Sequence, residues 1–332
     1  MQLHPRQALF DADEVRAPLP VCDHYAGVEV RMRKSLELQA EWGPVFDVTL
    51  DCEDGAPVGG EAEHAHLVAD LLGSPLNRYQ RVGARIHPVT HAAFGDDAAT
   101  LVSRAGAQLA YLMLPKPNSA LQVEAACAEI DRLSHAAGLK TPIPIHVLIE
   151  TLGALREVDA IAAHPRVQSL SFGLMDFVSA HRGAIPASAM TATGQFQHAL
   201  VVRAKLEISA ACHAHGKTPS HCVVTEFNHQ ATVSEAATRA CRELGYTRMW
   251  SIHPSQIRSI VDAFAPSVAE VGTAIEIISA AQAANWAPIR YHNTLHDRAS
   301  YRYYWHVLER AQRTGGQLPI EVRLAFFPES AH

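Results

Sequence analysis

Acidic and basic side chains follow the short apolar segments of this 332-residue sequence at several points along the chain. If those segments are parallel strands of a barrel, their carboxyl ends meet at one face, and the side chains that follow them lie close together. Such a group of carboxylates and cations can bind a metal ion, stabilise a developing negative charge or move a proton. The residues concerned are Glu53, Asp54, Arg85, Lys116, Glu150 and Asp176.

Glu150 and Asp176 form the best candidate metal site. Two carboxylates on adjacent strand ends can hold a hard divalent ion while leaving several positions for water and substrate, and Mg²⁺ suits this arrangement. The alternative is that both residues are helix N-caps or ion-pair partners, which are common roles of acids after strands. The residues themselves leave both interpretations open.

The two cations of the group suit different roles. Arg85 stays charged at any working pH and could stabilise an enolate oxygen; a salt bridge to Glu53 or Asp54 is a compatible alternative. Lys116 could form a Schiff base only if its pKa were lowered, and the acids nearby favour the protonated form. We therefore predict that Lys116 forms a structural ion pair or contacts a substrate carboxylate.

Eight short β-rich segments alternate with helical patterns along the chain, and eight βα units are the number in a TIM barrel. We therefore predict an α/β protein with a single TIM (β/α)8 barrel whose charged strand ends form the site. The predicted strands are Leu19–Cys22, Phe46–Asp51, Gly83–His87, Ala110–Leu114, Ile143–Ile149, Gln168–Phe172, His221–Thr225 and Arg248–Ile252.

The C-terminal segment lies beyond the barrel count. Tyr301, Trp305 and Leu308 follow the spacing of an amphipathic helix, with Tyr304 beside them. This aromatic stripe packs either on its own barrel or on a neighbouring subunit, and the sequence leaves both open. We predict a catalytic barrel domain over residues 1–285 and a C-terminal helical extension over residues 286–332. If the aromatic stripe packs on a neighbouring subunit, this extension would be a lid on that subunit.

Composition and charge argue against several classes of protein. With 28 Lys and Arg against 34 Asp and Glu, the net charge of −6 disfavours binding to nucleic acid or to an anionic membrane surface. No apolar run approaches the roughly 20 residues of a membrane span, and the N-terminus lacks a signal-peptide core, so we expect a cytoplasmic protein.

The six cysteines form no C-x-x-C pair and are expected to be reduced. The sequence has no G-x-G-x-x-G or Walker A pattern, which disfavours a dehydrogenase or a kinase.

Six ordered motifs resemble those of the citrate lyase beta-subunit-like proteins, which include the malyl-CoA and citramalyl-CoA lyases of the aldolase/citrate lyase superfamily. Six motifs in one order are more specific than any one of them. The motifs are LDCEDGA from Leu50, RIHP from Arg85, MLPK from Met113, IET from Ile149, FGLMD from Phe172 and IHPSQ from Ile252.

The resemblance implies a Mg²⁺-dependent TIM barrel that cleaves or forms the C–C bond of a 3-hydroxy-acyl thioester, commonly as a trimer or hexamer. It implies that Glu150 and Asp176 bind the metal ion and that Arg85 polarises the carbonyl or enolate oxygen. Glu53 and Asp54 would orient Arg85 and metal-bound water. We therefore expect Mg²⁺ as cofactor, a small-molecule acyl-CoA or 2-oxo- or hydroxy-acid substrate, and a homotrimer or homohexamer.

Three further residues are candidates through the same resemblance. In malyl-CoA lyases a C-terminal segment of a neighbouring subunit closes the site and contributes an acid, for which Asp297 is the candidate here. The alternative is that Asp297 begins the helix that follows it. Arg31 and Arg33, with Lys34, could contact the phosphates of CoA, or they could lie on a solvated helix face.

The sequence departs from the family pattern at three strand ends. The first strand lacks the usual Pro-Gly turn, the third-strand arginine is followed two residues later by His87 where Asn is usual, and the seventh strand lacks the usual glycine. We predict a Mg²⁺-dependent C–C lyase acting on a 3-hydroxy-dicarboxylic acyl-CoA such as malyl-CoA, citramalyl-CoA or citryl-CoA. The alternatives are a metal-dependent pyruvate aldolase, an acyl-CoA thioesterase and a non-catalytic binding subunit.

Overall fold

The computed structural model describes residues 3–11, 18–227, 229–316 and 318–328, and its central feature is a closed barrel of eight parallel strands. Each strand pairs with the next in chain order, and β8 pairs with β1. The predicted α/β TIM barrel is therefore confirmed. The strands are β1 (Cys22–Ala26), β2 (Phe46–Asp51), β3 (Val82–Arg85), β4 (Leu112–Leu114), β5 (Ile145–Ile149), β6 (Val167–Phe172), β7 (Thr218–His221) and β8 (Arg248–Ser251).

All eight strands belong to one compact unit, residues 20–263, in which helices connect successive strands. The helices of the described chain are α1 (Pro5–Leu9), α2 (Glu29–Trp42), α3 (Glu61–Leu72), α4 (Phe94–Ala105), α5 (Ala120–Ala136), α6 (Leu152–Arg156), α7 (Val158–Ala163), α8 (Leu174–Ser179), α9 (Ala199–Ala214), α10 (Gln230–Leu244), α11 (Pro254–Phe264), α12 (Val268–Ala283), α13 (Arg298–Arg313) and α14 (Ile320–Phe326).

A second compact unit combines the described residues up to Leu19 with the described residues from Phe264 onward. It contains an antiparallel hairpin of β9 (Ile289–Tyr291) and β10 (Thr294–His296). Helix α12 belongs to this unit, whereas the predicted domain boundary lies after α12, between residues 285 and 286. The boundary between residues 285 and 286 therefore stays a prediction about the functional domains of the chain.

The aromatic stripe of α13 forms the core of this second unit. Tyr301, Trp305 and Leu308 are fully buried in one cluster with apolar residues of α12 and α14. The ring of Trp305 stacks on Phe327 with a centroid distance of 5.3 Å. The stripe therefore packs against helices of its own chain.

Two strands lie at other positions than the sequence predicts. The first runs over Cys22–Ala26 and not Leu19–Cys22, and the seventh runs over Thr218–His221 and not His221–Thr225. Both observed strands are rich in polar residues that are nonetheless buried. The predictions were wrong here because a search for apolar segments passes over polar strands.

A buried arginine accounts for the buried aspartates of β1 and β2. Nη1 of Arg248 on β8 lies 2.5 Å from Asp47, and Nη2 lies 3.0 Å from Asp23. The hydroxyls of Thr49 and Tyr111 both donate to Oδ1 of Asp23, at 2.7 and 3.0 Å. All five side chains are fully buried, so each charge depends on its partners within the barrel.

No single helix in the described ranges is long and apolar enough to span a membrane; α11 and α12 reach that length and hydropathy only when they are counted together. All six cysteines are free thiols in this structure, and five of them are buried.

We expect Arg248→Met to lower the free energy of unfolding by about 3–5 kcal/mol, because it leaves the buried Asp23 without a cation and Asp47 with Arg81 alone. Arg203→Met is the matched control, since Arg203 is exposed and pairs with Glu207 one helical turn away. It should cost less than about 1 kcal/mol. Urea denaturation followed by circular dichroism measures both values, and equal losses would contradict the prediction.

Candidate active site

A bidentate ion pair joins the last residues of β2 and β3. Arg85 donates from Nε to Oδ1 of Asp51 at 2.7 Å and from Nη2 to Oδ2 at 2.5 Å. The two residues are partners in the parallel register, so strand pairing brings them together. Nη1 of Arg85 lies 3.1 Å from Glu53. Burial alone would lower the pKa of Arg85, but Asp51 and then Glu53 raise it above its ordinary value, and the guanidinium stays charged.

Asp51 also orders the loop that follows β2. Its carboxylate accepts hydrogen bonds from the backbone N–H groups of Glu53 at 3.0 Å and of Gly55 at 2.8 Å. A Cβ on Gly55 would lie 2.4 Å from Oδ2 of Asp51, so the close approach requires glycine. The sequence interpretation gave Asp51 no role. The signal was present, because Asp51 ends an apolar strand next to the strand of Arg85.

Lys116 connects this loop to β5. Its Nζ lies 2.5 Å from Oε1 of Glu53 and 2.7 Å from Oδ2 of Asp54. Its backbone N–H donates to Oε1 of Glu150 at 2.9 Å, which stabilises an unusual φ of +51°. Burial would lower the pKa of Lys116, but the hydrogen bonds to Asp54 and Glu53 raise it above its ordinary value. The amine is therefore an ammonium in an ion pair, and not the neutral nucleophile that a Schiff base requires.

The two acids after β2 differ in their partners. Glu53 contacts both cations, with one carboxylate oxygen on Arg85 and the other on Lys116. Asp54 is exposed and pairs with Lys116, although we expected it beside Arg85 or beside a metal ion. Burial opposes ionisation of Asp54, but the hydrogen bond and charge of Lys116 outweigh it and lower its pKa.

Two carboxylates follow β5 and β6 next to Lys116. Glu150 directly follows β5 and is only 3% exposed. Asp176 lies in the first turn of α8, where it is half-buried and 3.9 Å from Nζ of Lys116. Burial, and then the charge of Asp176, raises the pKa of Glu150 to about 8. The two predicted metal ligands therefore lie at neighbouring strand ends, in a site with excess negative charge.

A cavity of about 420 Å³ opens beside this pair. Gly173, at the start of α8, makes room for the buried carboxylate, since a Cβ there would lie 2.3 Å from Oε2 of Glu150. The cavity is lined by Lys116, Asn118, Glu150, Thr151, Leu152, Asp176, Ser179 and Ala180.

The donors at this cavity fit a hard divalent cation. Carboxylate oxygens are preferred ligands of Mg²⁺, and burial together with the charge of Asp176 keeps the pKa of Glu150 raised in spite of Arg85 and Lys116. Among the described residues, no group of three or more His, Cys, Asp or Glu side chains is arranged to hold a metal ion. A cation on Glu150 and Asp176 would therefore keep most of its coordination positions for water and substrate.

Three predicted site residues have other contacts. Arg33 pairs at 2.7 Å with Glu29 on the exposed face of α2, and Arg31 is exposed on the same helix. Asp297 lies in the second compact unit and begins α13 in a capping box with Ser300. The N-cap interpretation of Asp297 is thus correct for this chain. The roles of Arg31 and Arg33 at CoA, and of Asp297 at a neighbouring subunit, stay predictions.

A closed parallel barrel with charged residues gathered at its strand ends is the architecture of a barrel enzyme. The model of the HpcH/HpaI aldolase/citrate lyase family matches residues 45–254 of this chain. A citrate lyase from Burkholderia xenovorans LB400, known from its crystal structure, is 56% identical with a TM-score of 0.84, and the match covers 98% of this chain and 99% of that one.

Two named relatives are more distant in sequence. The L-malyl-CoA/beta-methylmalyl-CoA lyase of Rhodobacter capsulatus is 29% identical over 277 residues, which cover 80% of this chain and 87% of the relative. The citrate lyase subunit beta-like protein of Deinococcus radiodurans is 26% identical over 71% of this chain and 78% of its own length.

The chain belongs to the HpcH/HpaI aldolase/citrate lyase family. The resemblance given by the six motifs is thereby confirmed. The expectation of an enzyme, and of a carbon–carbon lyase in particular, is confirmed with it.

We expect the stability of the metal-free protein to fall as pH rises toward 8. The folded protein keeps a proton on Glu150 up to about pH 8, whereas the unfolded chain releases it near the ordinary glutamate pKa of about 4.3, so rising pH favours unfolding in between. The contribution of this residue is at most about 1.4 kcal/mol per pH unit. Urea denaturation at pH values within this window measures it, with Glu150→Gln as the reference. Parallel pH dependences in the two proteins would contradict the assignment.

Proposed function

We propose that this enzyme is a Mg²⁺-dependent lyase that cleaves, or in reverse forms, the C–C bond of a 3-hydroxy-dicarboxylic acyl-CoA. The observation that carries the proposal is the carboxylate pair Glu150 and Asp176 beside two fixed cations at the strand ends. Malyl-CoA and beta-methylmalyl-CoA, the substrates in the names of the relatives, belong to this class.

Glu150 and Asp176 would hold the metal ion. Bound Mg²⁺ supplies a Lewis acid that stabilises negative charge on a substrate oxygen. Glu150 must release its proton to act as a ligand, and its pKa of about 8 makes this step depend on pH near neutrality. The ammonium of Lys116, 3.9 Å from Asp176, would contact a carboxylate of the substrate at the same cavity.

Arg85 would stabilise the thioester enolate that forms when the C–C bond breaks. Its guanidinium is held on two edges by Asp51 and Glu53 and therefore needs no reorganisation when the charge develops. The buried ring of Tyr25 lies under this group, with its centroid 5.5 Å from Cζ of Arg85. Two carboxylates and one aromatic face thus fix the position of the cation.

The remaining parts of the proposal concern the CoA moiety and the assembly. Arg31 and Arg33 would contact the phosphates of CoA, and a trimer or hexamer would bring Asp297 of one copy toward the barrel of another. The alternatives without CoA, or with hydrolysis in place of C–C cleavage, are distinguished by the products.

The purified protein should convert at least one of malyl-CoA, citramalyl-CoA and citryl-CoA to acetyl-CoA, with glyoxylate, pyruvate or oxaloacetate as the second product. Conversion should require Mg²⁺, because Glu150 and Asp176 alone cannot stabilise negative charge. Chromatography of the acyl-CoA and oxo-acid products measures the reaction, with Glu150→Ala as the inactive control. Free CoA with an intact hydroxy acid would indicate a thioesterase, and no conversion would indicate a CoA-free aldol substrate or a binding role.

Arg85→Ala should lower kcat by about 10²–10³-fold while Mg²⁺ binding is retained, because the residue would stabilise the enolate and does not hold the metal ion. Calorimetric titration with Mg²⁺ and circular dichroism test binding and folding separately from turnover. Arg203→Ala, which removes an exposed guanidinium from α9, is the matched control and should leave kcat unchanged. Full turnover in Arg85→Ala would contradict this role.

A further inference from the structure

A histidine and a buried aspartate form a pair just beyond the carboxyl end of β3, two residues after Arg85. Nδ1 of His87 lies 2.7 Å from Oδ2 of Asp97, and the backbone N–H of His87 donates to the same oxygen at 2.9 Å. Asp97 lies in the first turn of α4, where the helix dipole favours a negative charge. The two residues are 8% and 1% exposed. The imidazole is therefore held in one orientation by a carboxylate behind it.

The nitrogen that remains available on this ring is Nε2. A carboxylate can only accept, so Nδ1 donates to Asp97, and Nε2 carries the lone pair of the neutral ring. In the part of the chain that the structure describes, no residue hydrogen-bonds to Nε2. The ring of His91 stacks on one face, with a centroid distance of 4.3 Å, and leaves the ring edge free. This is the geometry of a general base oriented by a buried carboxylate.

A buried carboxylate, Asp97, lies behind the ring of His87. Burial raises the pKa of Asp97, and the hydrogen bonds that it accepts from His87 act in the opposite direction. Burial, followed by the charge of Asp97, raises the pKa of the Cys52 thiol and keeps it neutral. The charge of Arg85 is balanced by its own carboxylates. The titratable groups shown to interact with this ring are Asp97 on α4, Glu61 on α3 and His91 in the loop before α4.

We propose that His87 is the acid–base residue of this enzyme and that Asp97 positions it, an inference that rests on the lyase function proposed above. In cleavage, Nε2 accepts the proton of the substrate hydroxyl, and the O–H electron pair forms the C=O bond of the oxo acid. The pair of the broken C–C bond passes to the thioester enolate. The imidazolium then returns the proton to the enolate carbon, so the step balances without a further reactant. Asp97 stabilises the imidazolium between these transfers.

The pH dependence of kcat and KM in His87→Asn tests this proposal. Asparagine keeps a side-chain N–H that can donate to Asp97 but cannot titrate, so kcat should fall by about 10²–10⁴-fold with KM little changed. The limb of the pH profile that reports the base should disappear. Asp97→Asn should give a smaller loss and a shifted limb, because the ring remains but loses its orienting charge. His135→Asn is the matched control, since it removes an exposed histidine of α5 outside the candidate site, and it should keep the wild-type profile.

A measurement without turnover tests the geometry. Nitrogen NMR of the histidine rings should find the proton on Nδ1 of His87 in the neutral form, and Asp97→Asn should weaken this preference. Circular dichroism verifies folding, and His87→Gln replaces His87→Asn if the latter does not fold.

The outcomes separate this proposal from the lyase function. If His87→Asn has the same kcat and the same pH profile as the wild type, His87 is not the acid–base residue. That result would leave the lyase function intact. Loss of the limb in Asp297→Asn, but not in His87→Asn, would assign the base to Asp297. If the wild type converts none of the thioesters, the lyase function and this inference both fail.

Discussion

The ion pair between Arg85 and Asp51 is the contact on which the candidate site depends. Strand pairing places these two residues side by side, and Asp51 also holds the backbone of the loop after β2. That loop presents Glu53, which contacts Arg85 with one oxygen and Lys116 with the other. Lys116 in turn bonds Glu150 through its backbone. One continuous set of contacts therefore connects the ends of β2, β3, β4 and β5.

Charge balance at these strand ends explains why the site suits a cation. Among the described residues, these contacts join five carboxyl groups, including Glu150, to two positive side chains, Arg85 and Lys116. The imbalance is concentrated at Glu150, which is buried next to Asp176 and has its pKa raised to about 8. A divalent cation would neutralise this excess. The same imbalance keeps Lys116 protonated, so lysine-based covalent chemistry does not suit this site.

Oppositely charged partners also neutralise buried charges in the interior of the barrel, away from the site. Arg248 neutralises Asp23 and Asp47 in a layer without solvent exposure. Two residues further along β1 and β8, Tyr25 and Trp250 stack at 4.5 Å. Because alternate residues of a strand share a face, this aromatic pair lies on the same face as the buried ion pairs and closer to the strand ends. Tyr25 also lies under Arg85, so the cation at the site rests on an apolar layer.

The sequence by itself determined the barrel and the residues at its strand ends. Eight βα units give a TIM barrel, and parallel strands direct their carboxyl ends to one face, so Glu53, Lys116, Glu150 and Asp176 could be placed together before any coordinates. Only the tertiary structure decided which charges pair. Asp51, and not Asp54, holds Arg85, and Asp97 holds His87, because partner choice follows from strand register and the packing of α4. Only the tertiary structure likewise placed β1 and β7; in β1 the buried Asp23 is stabilised by Arg248, a partner distant in sequence. The local spacing of residues indicates the period of an element and which of its residues are buried. It does not indicate which charged residue, distant in sequence, pairs with a buried charge.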